Sequence, residues 1–153
     1  MGATIVDIAD AVVESLNAAT LTLGLAAVRS YLPVYQVQDL DELRVAVVPG
    51  GFLMALASRA VDQFDYTVDV AMHRRLKTVT TSPTATVDID PYLQLAEDVV
   101  DLFRGKPLTL ASGLVVHCTD AAAAPLFDPA LLDQQRLWAA AVSLTFRTQR
   151  ARP

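Results

Sequence analysis

The chain of 153 residues is 53% hydrophobic and only 19% charged, and its 12 basic against 17 acidic residues leave a net charge of −5. That balance excludes a tight, sequence-independent nucleic-acid binder, because phosphate attraction supplies most of such binding, yet a duplex can slide past an acidic lining without sticking. One cysteine, Cys118, excludes an internal disulfide.

From Thr4 to Asn17, apolar Ile5, Ile8, Val12 and Leu16 recur at spacings of three and four, opposite Asp7, Asp10 and Glu14. The spacing predicts an amphipathic helix, with Thr4 as its cap and Asp7 suited to the positive end of the helix dipole. A strand is expected from about Gly24 to Leu32, ended by Pro33, with a linker or helical turn through Asp39, Asp41 and Glu42. Leu43 to Leu76 then holds two strand-like runs. The first, LRVAVVP, is the more continuously apolar, as in a strand covered on both faces or one sheltered by a partner subunit; the second, DYTVDVAMHRRL, alternates with period two. Pro49-Gly50-Gly51 is expected to reverse the chain between them. The intervening FLMALASRAVDQF fits both the helical and the strand period and is left open between them.

Lys77 to Val87 is Thr-rich and reads as a mobile loop or extended arm, either disordered or used for contact with a neighbour. A second amphipathic helix is expected from Asp90 as N-cap and Pro91 at the first helical position to Phe103, stopped by Gly105 and Pro107. Leu114 to Cys118 suggests another strand, Ala121 to Ala124 a loop, and Asp128-Pro129 a helical turn through Leu131 and Leu132. Leu137 to Arg147 reads as a long strand with Trp138, Ala140, Val142, Leu144 and Phe146 on one face, followed by a frayed basic tail. Taken together the order predicts an α+β fold in which a mainly antiparallel β-sheet carries two amphipathic helices packed on one face, in one domain spanning residues 1–153.

The apolar share predicts surface left over for self-association, unless small alanines absorb it in the core. Neither secretion nor lipidation is expected, since no basic region precedes an apolar run and Val6 stands where a myristoylation motif needs Ser or Thr. The longest uncharged segments, Val45 to Ser58 and Leu137 to Thr145, are too short or too broken to span a bilayer, so a soluble protein without a membrane partner is expected.

Chemistry is sparse. His73, His117 and Cys118 do not form a metal-ligand spacing, and His117 and Cys118, adjacent on a strand, point to opposite faces and so cannot act as base and thiol. There is no nucleophile elbow, phosphate loop or dinucleotide fingerprint. Neither an enzyme nor a cofactor is expected. His73, Arg74, Arg75 and Lys77 form a basic cluster that would meet phosphate or an acidic neighbour, or would simply protect a strand end. Trp138 fits either an interface anchor or a core tryptophan.

The helix DIADAVVESLNAA, the segment YLPVYQVQDLDELRVAVVPGG with SRA downstream, the strand DYTVDVAMHRRL, the helix DIDPYLQLAEDVVDLFRG and the closing LWAAAVSLTFRTQR together resemble tail terminator (tail completion) proteins of long-tailed phages. Asp39, Leu40, Leu43, Val45, Val47, Pro49, Ser58, Arg59, Asp90, Leu93, Leu95, Phe146 and Arg147 match the pattern, while Gly50-Gly51 and Ala121 to Ala124 depart from it. The resemblance implies a homo-oligomeric ring, typically of six subunits, in the tail or neck of a virion assembled from protein made in the host cytoplasm. Such a ring ends tail-tube growth, binds the tail tube protein and a head-neck connector or stopper protein, and lets DNA through its lumen. Candidate contacts to neighbouring subunits or the tube are His73, Arg74, Arg75, Lys77, the arm residues Thr80, Thr81 and Pro83, and Trp138, Phe146 and Arg147, together with an exposed sheet edge. The alternatives are a head completion or connector ring, which shares the size and architecture, and a small ligand-binding or enzymatic α+β domain.

Overall fold

The computed structural model describes residues 2–32, 40–76 and 85–153. Its elements, in chain order, are α1 (Thr4–Ala18), β1 (Ala27–Arg29), β2 (Arg44–Leu56), β3 (Val61–Arg75), α2 (Ala85–Phe103), β4 (Pro107–Thr109), β5 (Val115–Ala123), α3 (Pro129–Gln135) and β6 (Leu137–Ala151). The six strands form one sheet in the order β1-β2-β3-β6-β5-β4. Only β1 and β2 run parallel; every other neighbouring pair is antiparallel. The fold is α+β.

The two longest strands carry the core. Along β3, Tyr66, Val68, Val70 and Met72 are buried; along β6, Trp138, Ala140, Val142, Leu144 and Phe146 are buried beside them in register. Onto this face α1 lays Ile8, Val12 and Leu16, and α2 lays Leu95, Val99 and Phe103. Each large apolar side chain taken fully out of water contributes about 1.5–3 kcal/mol, so this helix-facing stripe is the main source of stability. The second face of the sheet carries short or polar groups at the alternate positions, among them Thr67, Asp69, Ala71, Ala141, Ser143 and Thr145, all half-buried.

The ends of α1 are held from outside the helix. Its N-cap is Ala3 rather than Thr4, and no side chain caps it; the Thr4 hydroxyl instead accepts from Arg150 Nη2 at 2.6 Å. Near its other end Asn17 clasps β1 through both amide atoms, accepting from Ala27 N at 2.7 Å and donating to Ala27 O at 3.1 Å. Asp10 pairs with Arg29 at 2.8 Å. In α2, Asp98 accepts from the backbone N–H and the hydroxyl of Thr22 and from Gln94, which fastens the α1–β1 connection to α2.

Several expectations are corrected. Pro49-Gly50-Gly51 does not reverse the chain; it lies inside β2 as a bulge, and the reversal comes at residues 57–60, closed by Ala57 N and Ser58 N donating to Val61 O. The open stretch after Gly51 is therefore strand on both sides of that turn. The strand expected from Gly24 to Leu32 is only Ala27–Arg29. Helix α2 begins at Ala85, so Pro91 sits inside it and Asp90 is not its cap. The cap-plus-proline arrangement operates at α3 instead, where Asp128 Oδ1 accepts from Ala130 N and Leu131 N and Pro129 opens the helix. Ala121 to Ala123 are not loop but strand, paired with β6, and Arg147 to Ala151 are not frayed but paired with β3. Residues 77–84 of the expected arm, and the linker residue Asp39, lie outside the described residues.

Candidate subunit interface

The bulge in β2 decides what the β2–β3 hairpin presents. Before it, Val45 and Val47 face the helices; after it, the pairs Phe52 with Tyr66, Met54 with Phe64 and Leu56 with Asp62 put the even-numbered residues on that same face. A side chain at Gly50 would lie 3.0 Å from the Thr67 carbonyl oxygen, so the extra residue fits only without a Cβ. Neither helix reaches the far half of the hairpin. Phe52 is 61% exposed, Leu53 76%, Met54 55% and Leu56 69%, with Leu53 on the face opposite the other three.

The base of the hairpin is fixed. Rings of Phe52 and Tyr66 lie 5.6 Å apart, and those of Phe64 and Tyr66 6.1 Å. The Arg150 guanidinium sits 4.8 Å from the Phe64 ring centre and donates to the Tyr66 hydroxyl at 2.8 Å. On the second face Arg147 meets Asp65 at 2.8 Å, and near the hairpin turn Arg152 meets Asp62 at 2.6 Å. Hydrogen bonds from these arginines hold both carboxyls below the usual carboxylate range. The β2 arm of the hairpin thus presents an exposed apolar edge to a β3 arm that β6 holds along its whole length, with Arg59 exposed in the turn.

Its outer edge is open. β1 reaches only Val47 on β2, and Ser30 N adds one hydrogen bond to Val47 O. Among the described residues no strand pairs with that edge from Val48 onward. The opposite end of the sheet has a similar gap: β4 covers β5 only to His117, and a single bridge joins Arg104 to Cys118. Beyond it, residues 119–123 of β5 pair inward with β6 alone among the described residues. Beside this edge, on the helix side, a groove of about 200 Å³ runs between α2 and the end of β5, lined by Ala96, Val100, Ala123 and Leu126, with Glu97 and Asp101 at its rim.

The sequence-derived contact residues fall into four groups. Trp138 and Phe146 are not surface contacts: both are fully buried, because their side of β6 faces the helices. Trp138 stacks on Tyr92 at 4.9 Å and donates its indole N–H to Leu126 O at 3.0 Å; Phe146 meets Phe103 edge to face at 5.9 Å. His73 and Arg74 are half-buried at the end of β3, and Arg75 is exposed there. Burial pushes the His73 imidazole below its ordinary pKa. Arg147 is exposed on the second face, engaged with Asp65. Lys77, Thr80, Thr81 and Pro83 lie outside the described residues.

The structure also settles the geometry of the histidine and the thiol. His117 pairs with Arg147 on the second face and Cys118 with Phe146 on the helix-facing side, so the two diverge. Burial raises the Cys118 thiol pKa, which makes it a poor nucleophile. Among the described residues no three His, Cys, Asp or Glu side chains gather as a metal site, and no helix is long and apolar enough to cross a membrane. What the sequence reading passed over is Phe52, Leu53, Met54 and Leu56, in the stretch whose apolar residues fitted both periods. The outer part of β2 is apolar and exposed on both faces, so it has no polar side and hence no period.

No family model and no curated protein matches the chain. Its fold is found in a solved virion. A chain of the virion of a native gene transfer agent particle superposes with a TM-score of 0.52 over 95% of this chain and 95% of that one, at 17% identity. At that identity the likeness establishes a shared fold across nearly the whole length of both chains.

Proposed function

We propose that this protein is a structural component of a phage-like virion, a tail terminator that forms a closed ring, six-membered by resemblance, on the head-proximal end of the tail tube. The observation that carries the reading is the shared fold with a gene transfer agent virion chain, which leaves almost nothing of either chain unmatched. The motif resemblance supplies the finer role, and the apolar hairpin supports self-association, since exposed apolar patches of this kind mark interaction sites. The ring is read as ending tube polymerisation, holding the tail tube protein on one side and a head-neck connector or stopper protein on the other. DNA passes through its lumen without sequence-specific contact, in keeping with the net negative charge. Arg75, at the end of β3, and the neighbouring Arg74 and His73 are the contacts proposed for the tube or an adjoining subunit.

Electron microscopy of particles assembled with this gene disrupted tests the reading. Overlong tails, or tails of normal length that fail to join filled heads, are expected. Normal tails beside heads that leak DNA would move the protein to the head side of the neck, and normal infectious particles would end the structural reading.

A further inference from the structure

We infer that the β2–β3 hairpin of one copy seats on the β5 edge of the next, continuing one sheet into the other and lodging Phe52 and Met54 at the groove between α2 and β5. The inference rests on the ring reading above and names the two surfaces that would join its subunits.

Four features of the fold fit one another at this joint. First, among the described residues, the backbone of β2 from Val48 to Leu56 and that of β5 from Thr119 to Ala123 are the open stretches on the two opposite ends of the sheet. Unpaired strand edges are templates for strand addition. Second, directions agree. Because β2, β3, β6 and β5 alternate, copies related by rotation alone bring β2 antiparallel to the neighbouring β5, with the helices of both copies on the same side.

Third, the apolar surfaces then coincide. Phe52, Met54 and Leu56 stand on the helix side of the hairpin, and the groove of Ala96, Val100, Ala123 and Leu126 lies on the helix side of β5. The exposed hairpin side chains offer several hundred Å² before any paired backbone is counted, on the scale of the roughly 800 Å² per partner of a stable interface. Fourth, charge is complementary: the hairpin turn carries exposed Arg59, whereas exposed Glu97 borders the groove and exposed Asp120 lies on the β5 edge. A symmetric pairing of two hairpins would leave the groove and these acids unmet, and would stop at a dimer.

The test uses the full chain with Cys118→Ser, so that introduced cysteines are alone. Met54→Cys and Ala121→Cys, which the antiparallel joint brings opposite each other, are made separately and together, treated with a short bis-maleimide and resolved on denaturing gels, with light scattering on the same samples. A ladder of covalent multimers from the double variant, absent from either single variant, is expected. In the chain without cysteines, Met54→Glu is expected to weaken association about tenfold or more by placing a charge in a closing apolar contact. Assembly without a ladder, and unaffected by Met54→Glu, would overturn the inference while leaving the ring reading intact. Cross-linking of the Met54→Cys single variant that stops at a dimer would replace it by a symmetric hairpin contact. A chain that stays monomeric at every concentration would overturn both the inference and the ring reading.

Discussion

Arg150 and Tyr66 lock the hairpin to the first helix: the Arg150 Nη2 that donates to the Tyr66 hydroxyl at 2.8 Å also donates to Thr4 Oγ1 at 2.6 Å. One guanidinium therefore spans β6, β3 and the start of α1, with its flat face toward Phe64. Tyr66→Phe is expected to cost about 1 kcal/mol, the typical net worth of one hydrogen bond. Arg150→Ala is expected to cost more, about 2 kcal/mol, since cation–π and packing contacts go with it. Urea unfolding of both single variants and the double variant checks this. A coupling of about 0.5–1.5 kcal/mol is expected between them, and strict additivity would mean that the two side chains act independently.

Trp138 belongs to the core, and its substitutions separate that role from an interface role. Trp138→Ala is expected to lose about 3–5 kcal/mol through the cavity it leaves. Trp138→Phe leaves the Leu126 carbonyl without its indole partner and is expected to lose about 1–3 kcal/mol. As the one tryptophan of the chain, it also reports its own environment. Native emission is expected at short wavelength and should not move when the protein is diluted to dissociate any oligomer; a shift on dilution would return Trp138 to the interface.

The pH dependence of stability falls in two windows. His73 has a folded pKa below its ordinary 6.5, with burial as the cause. The unfolded chain then binds the proton first, so the contribution is fully present above about pH 6.5 and is lost as pH falls from there toward the lowered folded value. Arg44 on β2 and Ala139 on β6 flank His73 in register, and a second cation there adds no reason to protonate it. Asp62 and Asp65 act lower down. Their arginine partners hold them below the ordinary 3.8, so their contribution is intact above about pH 4 and is lost as pH falls through the lowered values. Both pairs are solvent-exposed, which keeps that second step small. Urea midpoints at pH 7.5, 6 and 5 check the first window. His73→Gln is expected to flatten the fall, and an unchanged slope would assign it to another group.

The parts of the fold that the sequence revealed are those where one periodicity is satisfied by one covered face. α1 is such a case, with Ile8, Val12 and Leu16 on a single side, as are β3 and β6, whose even-numbered residues from Tyr66 to Met72 and from Trp138 to Phe146 form the core under the helices. Elsewhere tertiary structure overrode local signals. Pro49-Gly50-Gly51 carries turn chemistry, but β3 continues unbroken across from it, so the ladder absorbs the residues as a bulge. Ala121 to Ala123 look like loop because small side chains suffice at a half-exposed strand next to β6. At the candidate interface the basic group near Arg75 was legible as charge at a strand end, and the open edge was anticipated in kind. The hairpin was not, because its apolar residues are exposed on both faces of β2, and a period records only a face that the chain's own core covers.

The two open edges lie on opposite sides of the sheet and are offset along the strands. The free stretch of β2 is level with residues 143–150 of β6, and that of β5 with residues 142–145. Copies joined through them advance along the strands by about four residues, on the order of 12 Å, for every four strands of width, on the order of 19 Å. With upright strands this step would accumulate, and the assembly would climb as a staircase. Strands leaning roughly 30° from the axis turn the step into circumference, close to the lean of closed β-barrels, and the last copy then meets the first on the level.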